Sequence, residues 1–162
     1  MKKVLFLFFL TFDFIFANSL GLSKTDLIVL NKIKSLADEP IMKYSLMAIA
    51  IKETSVGKNM ANFQSNDFGL FQSNIKTVLS RQYISDTPAN RKYFALRLMN
   101  DVGFATANAI IELEYWRKVH KDNWIKIWSS YNTGFSYRSD TGFFYAKDIL
   151  EIIKKLKNEY QL

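Results

Sequence analysis

The chain has 162 residues, 49% of them hydrophobic and 15% aromatic, a composition that suits one domain with a sizeable buried core. With no cysteine and a single histidine, His120, it cannot form a disulfide, a thiolate metal site or a histidine metal cluster within one chain, and we expect no metal or other cofactor. The formal net charge of +7 favours an anionic partner, although charge alone does not choose between cell-wall polymers, lipid headgroups and nucleic acid.

The amino terminus has the pattern of a signal peptide. Two lysines precede an apolar run rich in Phe and Leu, and a small-x-small sequence, Ala-Asn-Ser, ends at Ser19. The apolar run is too short to span a bilayer comfortably, but Asp13 within it leaves an uncleaved membrane tether as the alternative. We therefore expect a Sec-type signal peptide over residues 1–19, a mature domain over residues 20–162, and a periplasmic or secreted location.

Two helices are predicted next. Ser23 is typical of an N-cap and predicts a helix through Leu36, and Pro40 is typical of the first turn of the following helix. Residues 46–51 of that second helix are all apolar, and a helix that is apolar on every side belongs in a core. Glu53 shares a helical face with part of this run, so its carboxylate is directed at the core or at the wall of a cleft.

Such a position makes Glu53 hard to ionise. Apolar surroundings disfavour the charged form, and the unpaired carbonyls at a helix C-terminus repel an anion, so the pKa should rise. A glutamate whose pKa rises to about 6 is roughly 10% protonated at neutral pH, which makes a usable acid. Without further motifs, the same residue is more typical of a glutamate paired with a lysine at a helix end.

The remaining chain predicts a mostly helical fold. Residues 56–74 are rich in Asn, Ser and Gly without a helical period, which indicates a loop with a short hairpin. Five further helices are expected, the second of them opened by the cap-and-proline pair Thr87-Pro88. They run over residues 75–82, from 88 to about 99, over 104–120, from 124 to about 133, and over 142–160. We find no internal repeat and no second domain.

Two stretches resemble sequences of glycan-cleaving enzymes. Residues 65–74, SNDFGLFQSN, resemble the active-site strand segment of animal-type (C-type) lysozymes. Glu53 with the hydroxyl residues Thr54 and Ser55, followed by the run GLFQ at 69–72, resembles the E-S and G-L-M-Q signature of the soluble lytic transglycosylase (SLT) family.

Two later matches extend the resemblance. Residues 130–134, SYNTG, resemble the A-Y-N-x-G motif of the same family, and Tyr145 matches the tyrosine of its Y-V-x-K-V motif. The motifs stand in the family's order between about Ile41 and Ile153, and this order carries the resemblance more than any one motif. The chain is therefore identified as a member of the lysozyme-like SLT superfamily, of the small specialised kind that opens the wall for secretion machines or pili.

The resemblance implies a fold, a reaction and a partner. The fold would be a lysozyme-like, mostly α domain with a short β-hairpin or irregular loop after the catalytic helix. The enzyme would cleave the β-1,4 bond between N-acetylmuramic acid and N-acetylglucosamine in peptidoglycan glycan strands, without a cofactor. In the family the substrate's own N-acetyl group and C6 hydroxyl complete the reaction, which gives a 1,6-anhydro sugar without water. We expect a monomer that serves a secretion or pilus apparatus.

The resemblance assigns catalysis to Glu53 and leaves two interpretations of Asp67. Glu53 is the expected general acid and then base, because cleavage of a glycosidic bond needs a proton for the leaving oxygen. Asp67 stands where the lysozyme-like motif has its second carboxylate, where it would stabilise an oxocarbenium-like centre or act as nucleophile. Most SLT enzymes lack an acid at that point, and an aspartate there also suits a cap on the turn into Phe68-Gly69.

Four expected substrate contacts lie in the first two motifs. By resemblance, Gln72 hydrogen-bonds the glycan, and Phe71 replaces the usual Met as an apolar wall for a sugar face. Gly69 needs no side chain because a sugar ring or the backbone approaches closely there. Thr54 replaces the family's serine and keeps its hydroxyl. Since neighbouring strand residues alternate between faces, either Leu70 or Phe71 is alternatively plain core.

Three further contacts are expected from the later motifs. Tyr131 and Asn132 would line the sugar cleft, although Y-N-x-G alone is also a common helix-ending turn with Gly as C-cap. Tyr145 would hold the catalytic carboxyl with its hydroxyl, although a buried tyrosine with one satisfied hydroxyl is also an ordinary packing residue.

Two rival functions remain open. A true muramidase would use Asp67 and water in the same cleft, and a catalytically silent glycan-binding accessory protein would keep the cleft without the reaction. Nucleic acid is not the expected partner, because the basic segment 154–157 lacks the interleaved aromatics that stack on single strands.

Overall fold

The computed structural model describes residues 19–162, so the predicted signal peptide lies, except for Ser19, outside the described residues. This part of the chain is mostly helical, with a small three-stranded antiparallel sheet. None of its helices combines the length and the apolar character that crossing a bilayer requires. In chain order the elements are α1 (Lys24–Lys34), α2 (Pro40–Thr54), β1 (Ala61–Asn62), β2 (Asp67–Phe68), β3 (Ser73–Asn74), α3 (Ile75–Arg81), α4 (Pro88–Asn100), α5 (Val102–His120), α6 (Trp124–Thr133), a 3₁₀ turn (Gly134–Ser136) and α7 (Asp140–Glu159).

The predicted helix starts at Ser23, Pro40 and Thr87 are confirmed. The Ser23 hydroxyl accepts from the Asp26 backbone N–H, and the Asp26 carboxylate accepts in return from the Ser23 N–H. Pro40 is the first residue of α2, and Thr87 caps α4 by accepting from the N–H of Asn90. Ser23 and Thr87 set the boundaries because they accept from N–H groups that a helix leaves unpaired, whereas Pro40 has no N–H group to leave unpaired.

Two predicted starts are wrong by two residues because earlier caps were overlooked. Helix α5 begins at Val102, since the Asp101 carboxylate accepts from the Phe104 N–H. Helix α7 begins at Asp140, since the Ser139 hydroxyl accepts from the N–H of Gly142. Both caps are short polar residues of the type that favours this position.

Helix α2 is the core of the domain, as its apolar run predicts. Residues 46–50 are completely buried, and α2 packs against α1, α5 and α7. Its polar Ser45 is also buried and accepts a hydrogen bond of 2.9 Å from the Trp128 indole N–H of α6. The helix ends where Ser55 takes a left-handed conformation, at φ 50°. The end of a helix with a buried central run thus brings Glu53 to the boundary between core and surface.

The loop after α2 forms three strands of two residues each, rather than the single hairpin that was predicted. Asp67 pairs with Asn62 of β1 on one side and with Asn74 of β3 on the other. The extra strand escapes a sequence pattern because two residues show no alternation. Asp67 therefore lies on the central strand.

Candidate active site

A cleft of about 260 Å³ opens where the end of α2 meets the small sheet. Helices α3, α5 and α6 complete its walls. It is lined by six of the residues that sequence reasoning selected, namely Glu53, Asp67, Phe71, Gln72, Tyr131 and Asn132. Segments far apart in the chain thus bring most of the expected polar side chains to one place.

Glu53 is half-buried at the end of α2, and its carboxylate accepts a hydrogen bond of 2.5 Å from the Tyr145 hydroxyl of α7. This is the contact that the resemblance implies. Burial raises the pKa of Glu53, and the Asp67 carboxylate adds to the increase. The Tyr145 hydrogen bond and Lys52 act in the opposite direction but do not cancel it. The direction is the one expected from the sequence, so the protonated form of Glu53 is more populated here than for a glutamate in water.

Tyr145 is suited to hold that carboxyl. Its side chain is only 6% exposed. Burial and the neighbouring Glu53 hold the pKa of Tyr145 well above its usual range. Its hydroxyl therefore stays protonated and donates to Glu53, which is a geometry that fixes one carboxyl oxygen and leaves the other available.

Asp67 is half-buried on the central strand and accepts a hydrogen bond of 2.9 Å from the Asn74 side chain. Asn74 also donates to the Ser65 carbonyl and accepts from the Lys76 N–H, so it ties Asp67 to the first turn of α3. The alternative of a cap on the turn does not fit, because the Gly69 N–H donates instead to the Met60 carbonyl at 2.8 Å. The structure thus holds Asp67 as a cleft-lining carboxylate.

Tyr131 lies among the charged groups of the cleft. Its hydroxyl donates to the Phe71 carbonyl at 2.9 Å, which joins α6 to the glycine-containing loop. Burial raises the pKa of Tyr131 well above its usual range, and the carboxylates of Glu53 and Glu112 raise it further. Tyr131 is therefore a neutral hydrogen-bonding group close to the charged side chains of the cleft.

The two remaining cleft residues differ in how firmly they are held. Gln72 has a left-handed backbone, at φ 47°, and its side-chain amide donates to the Gly69 carbonyl at 3.2 Å and to the Asn59 carbonyl at 3.4 Å. Asn132 is exposed at the end of α6. Gln72 thus presents an oriented amide, whereas Asn132 presents a solvated one.

Three predicted contact residues, Phe71, Thr54 and Gly69, are buried, so direct sugar contact by the side chains of Phe71 and Thr54 is corrected, although Phe71 lies at the edge of the cleft. Phe71 is fully buried, and its ring has no surface to offer to a sugar. Thr54 is 1% exposed; its hydroxyl lies 3.1 Å from both the Ala50 and the Leu70 carbonyls and accepts from the Gly57 N–H at 3.0 Å. These side chains join the end of α2 to the loop.

Gly69 is the third residue of this kind. It has φ +80°, and a Cβ atom there would lie 2.4 Å from the Leu98 carbonyl oxygen of α4. The close approach that the sequence indicated is therefore made by the protein's own backbone, not by a sugar.

Sequence reasoning missed a charged pair in the cleft. Arg81, at the end of α3, forms an ion pair with Glu112 of α5, and both line the cleft. The Trp116 indole N–H donates to the other oxygen of Glu112 at 2.6 Å. The i, i+4 spacing of Glu112 and Trp116 was a readable signal, but no local pattern points to Arg81, which is 31 residues away. Within residues 19–162, no group of three or more acidic or histidine side chains is arranged to hold a metal ion.

Comparison with known proteins gives a similarity to a phage protein. No family model matches the chain, and no solved structure matches it. The chain is 31% identical over 115 residues to the uncharacterized 20.7 kDa protein in the vs-regB intergenic region of Enterobacteria phage T4. The matched region covers 70% of this chain and 61% of the phage protein, so the chain spans about three fifths of that relative's length.

Proposed function

We propose that the described domain is a lysozyme-like lytic transglycosylase that cleaves the β-1,4 bond between N-acetylmuramic acid and N-acetylglucosamine in peptidoglycan. The observation that carries the proposal is the 2.5 Å hydrogen bond from Tyr145 to Glu53 at the wall of a polar cleft. These residues are 92 positions apart, and each was selected from a separate motif. Their contact, together with the raised pKa of Glu53, supports a positioned general acid.

The proposed reaction begins with protonation of the leaving group. Tyr145 holds one oxygen of Glu53, and the other donates its proton to the glycosidic oxygen as the C1–O bond breaks. The substrate's N-acetyl group stabilises the positive charge that develops at C1. The C6 hydroxyl of the same sugar then attacks C1 and returns its proton to Glu53, which closes the 1,6-anhydro ring and regenerates the acid.

Asp67 supports a second candidate, a hydrolytic muramidase. Its carboxylate lines the same cleft and is close enough to raise the pKa of Glu53. In this reaction Asp67 would stabilise or attack C1, and water would complete the cleavage. Mass spectrometry of the products separates the two reactions, because the transglycosylase leaves anhydro ends and the muramidase leaves reducing ends.

The accompanying proposals concern place and partner. Export by the amino-terminal segment would bring the enzyme to peptidoglycan in the cell envelope, and the +7 net charge would favour the anionic wall. Service to a secretion or pilus apparatus rests on the resemblance to small specialised transglycosylases. A catalytically silent glycan-binding protein is the remaining alternative. It would bind sacculi without releasing fragments from them.

The test is digestion of purified sacculi by the wild-type protein and by Glu53→Gln. We expect anhydro-muropeptides from the wild type and a loss of about 10² to 10⁴ in rate for the variant, since positioned proton transfer contributes that much. Glu151→Gln is the matched control, because Glu151 is exposed on α7, forms a salt bridge with Lys154 and does not line the cleft. Equal release by Glu53→Gln, or sacculus binding without release by any of the proteins, would overturn the proposal.

A further inference from the structure

The Arg81–Glu112 pair is a feature of the cleft that the proposed reaction does not use. It joins the last residue of α3 to the middle of α5, and both side chains line the cleft. The two side chains are 22% and 25% exposed, so the pair is neither a fully solvated surface bridge nor a core ion pair. A charge that is partly removed from water and still reachable from a cleft is available to a ligand.

The guanidinium of Arg81 is held from one side only. One terminal nitrogen contacts the Glu112 carboxylate, and the other donates to the Asn108 carbonyl at 3.4 Å. Glu112 is itself fixed by the Trp116 indole, whose side chain is 5% exposed. A guanidinium carries five N–H donors, so three have no protein acceptor within residues 19–162. Arg81 is thus oriented by α5 and keeps donors for a further anion.

The charges of the cleft make this position distinctive. The other ionised side chains that line it are carboxylates, and Arg81 is the one cation among the described lining residues. An anionic substituent elsewhere in the cleft would meet the Asp67 carboxylate, which repels it. Beside Arg81, a carboxylate would meet the planar donor arrangement that fits it best.

We propose that Arg81 is a specificity-determining residue that binds a carboxylate carried by the glycan. Arg81 would then make the cleft prefer the carboxylate-bearing glycan of the proposed function over a neutral polymer of N-acetylglucosamine. The inference rests on the proposed function only in taking the cleft to hold a glycan strand. A carboxylate on the sugar's own lactyl ether and one on an attached peptide present the same chemistry to Arg81.

The test measures binding rather than cleavage, using Glu53→Gln as the parent protein so that the glycan stays intact. Its ligands are peptide-free glycan strands, the same strands with their carboxyl groups converted to amides, and peptide-bearing strands. We expect the parent to bind carboxylate-bearing strands roughly ten- to a hundredfold more tightly than the amidated ones, the range for a charged hydrogen bond. Adding Arg81→Met should abolish this preference, whereas adding Lys76→Met should leave it, since Lys76 is exposed on α3 outside the cleft.

The ligands also locate the carboxylate. If Arg81→Met weakens binding of the peptide-free strands, the sugar's own carboxylate is bound. If it weakens binding only of the peptide-bearing strands, the peptide supplies the group. Either result supports the assignment.

A preference that survives Arg81→Met in a folded protein overturns the inference, as does the absence of any preference or of glycan binding. If Arg81→Met lowers the melting temperature so far that it unfolds, Arg81→Gln/Glu112→Gln replaces it, because this double variant keeps a neutral hydrogen-bonding pair. Retained preference in that variant overturns the inference equally. If the wild type cleaves the glycan but no preference depends on Arg81, only this inference is overturned. If a preference depends on Arg81 but the wild type does not cleave the glycan, only the enzymatic proposal is overturned.

Discussion

The two walls of the cleft are built in different ways. The helical wall places Glu53, Tyr131 and Tyr145 on α2, α6 and α7, three helices that pack on one another and bury Tyr145. The strand wall places Asp67 and Gln72 in a region of two-residue strands, held mainly by individual hydrogen bonds. The position of Glu53 is therefore set by the packing of helices in the core. The strand wall depends instead on a few polar contacts and on one glycine.

The largest expected effect breaks the strand wall at Gly69. In Gly69→Ala the new Cβ would lie 2.4 Å from the Leu98 carbonyl, on a backbone with φ +80°. A strained conformation of this kind costs about 1 to 3 kcal/mol, and overpacking adds a similar amount. We expect the free energy of unfolding, measured by chemical denaturation, to fall by the sum of the two. Gly134→Ala is the control, because Gly134 also has positive φ but faces open space. Equal losses in both variants would contradict the clash.

The next largest effect is expected when Tyr145 of the helical wall is replaced. Tyr145→Phe removes the hydrogen bond to Glu53, and a lost positioning contact to a charged group should lower the cleavage rate about ten- to a hundredfold. Because that bond lowers the pKa of Glu53, its removal should raise the pKa and move the basic limb of the pH–rate profile upward. Tyr137→Phe is the control, since its hydroxyl accepts only from exposed Arg138 within residues 19–162. An unmoved limb would show that Tyr145 does not act on Glu53.

A smaller effect on the cleavage rate is expected from a substitution of Asp67 in the strand wall. If the protein is a transglycosylase, Asp67→Asn should reduce the rate less than about tenfold, because the substrate completes the reaction itself; a muramidase should lose at least about 10². In both cases the pKa of Glu53 should fall, because the Asp67 charge raises it, and the basic limb should move downward. Steady-state kinetics against Asp38→Asn, an exposed aspartate away from the cleft, measures the loss.

The smallest effect concerns stability and follows from the raised pKa of Glu53. A carboxyl whose pKa is higher in the folded than in the unfolded protein contributes stability at low pH, and this is lost as the pH rises through the folded pKa. Glu53→Gln should therefore be the more stable protein at neutral pH, by less than about 2 kcal/mol. The advantage should vanish below the pKa of the unfolded chain. Denaturation at several pH values checks this, and a variant less stable than the wild type at neutral pH contradicts it.

The sequence predicts those features of the structure that are set by residues close together in the chain. The caps at Ser23 and Thr87 and the apolar run of α2 act within a few residues, and all three are confirmed. The extra strand was missed because two-residue strands have no period. In the site, motifs selected Glu53 and Tyr145, which the fold brings together.

The site residues that the sequence misplaced or missed depend on contacts between distant segments. Phe71 and Thr54 belong to motifs but are buried, since a motif does not reveal which side of a wall a side chain takes. Arg81 has no motif at all, and its partner Glu112 is identified only when α3 packs beside α5. A residue's environment is set by packing, which local patterns do not encode.

The most direct check on Glu53 as a proton donor is its own pKa. Carbon NMR of labelled glutamate side chains, with the Glu53 signal assigned by its absence in Glu53→Gln, follows this carboxyl through a pH titration. We expect the pKa of Glu53 to lie above the ordinary glutamate value and to increase further in Tyr145→Phe. A Glu53 that titrates at or below the ordinary value would contradict a partly protonated acid in this cleft.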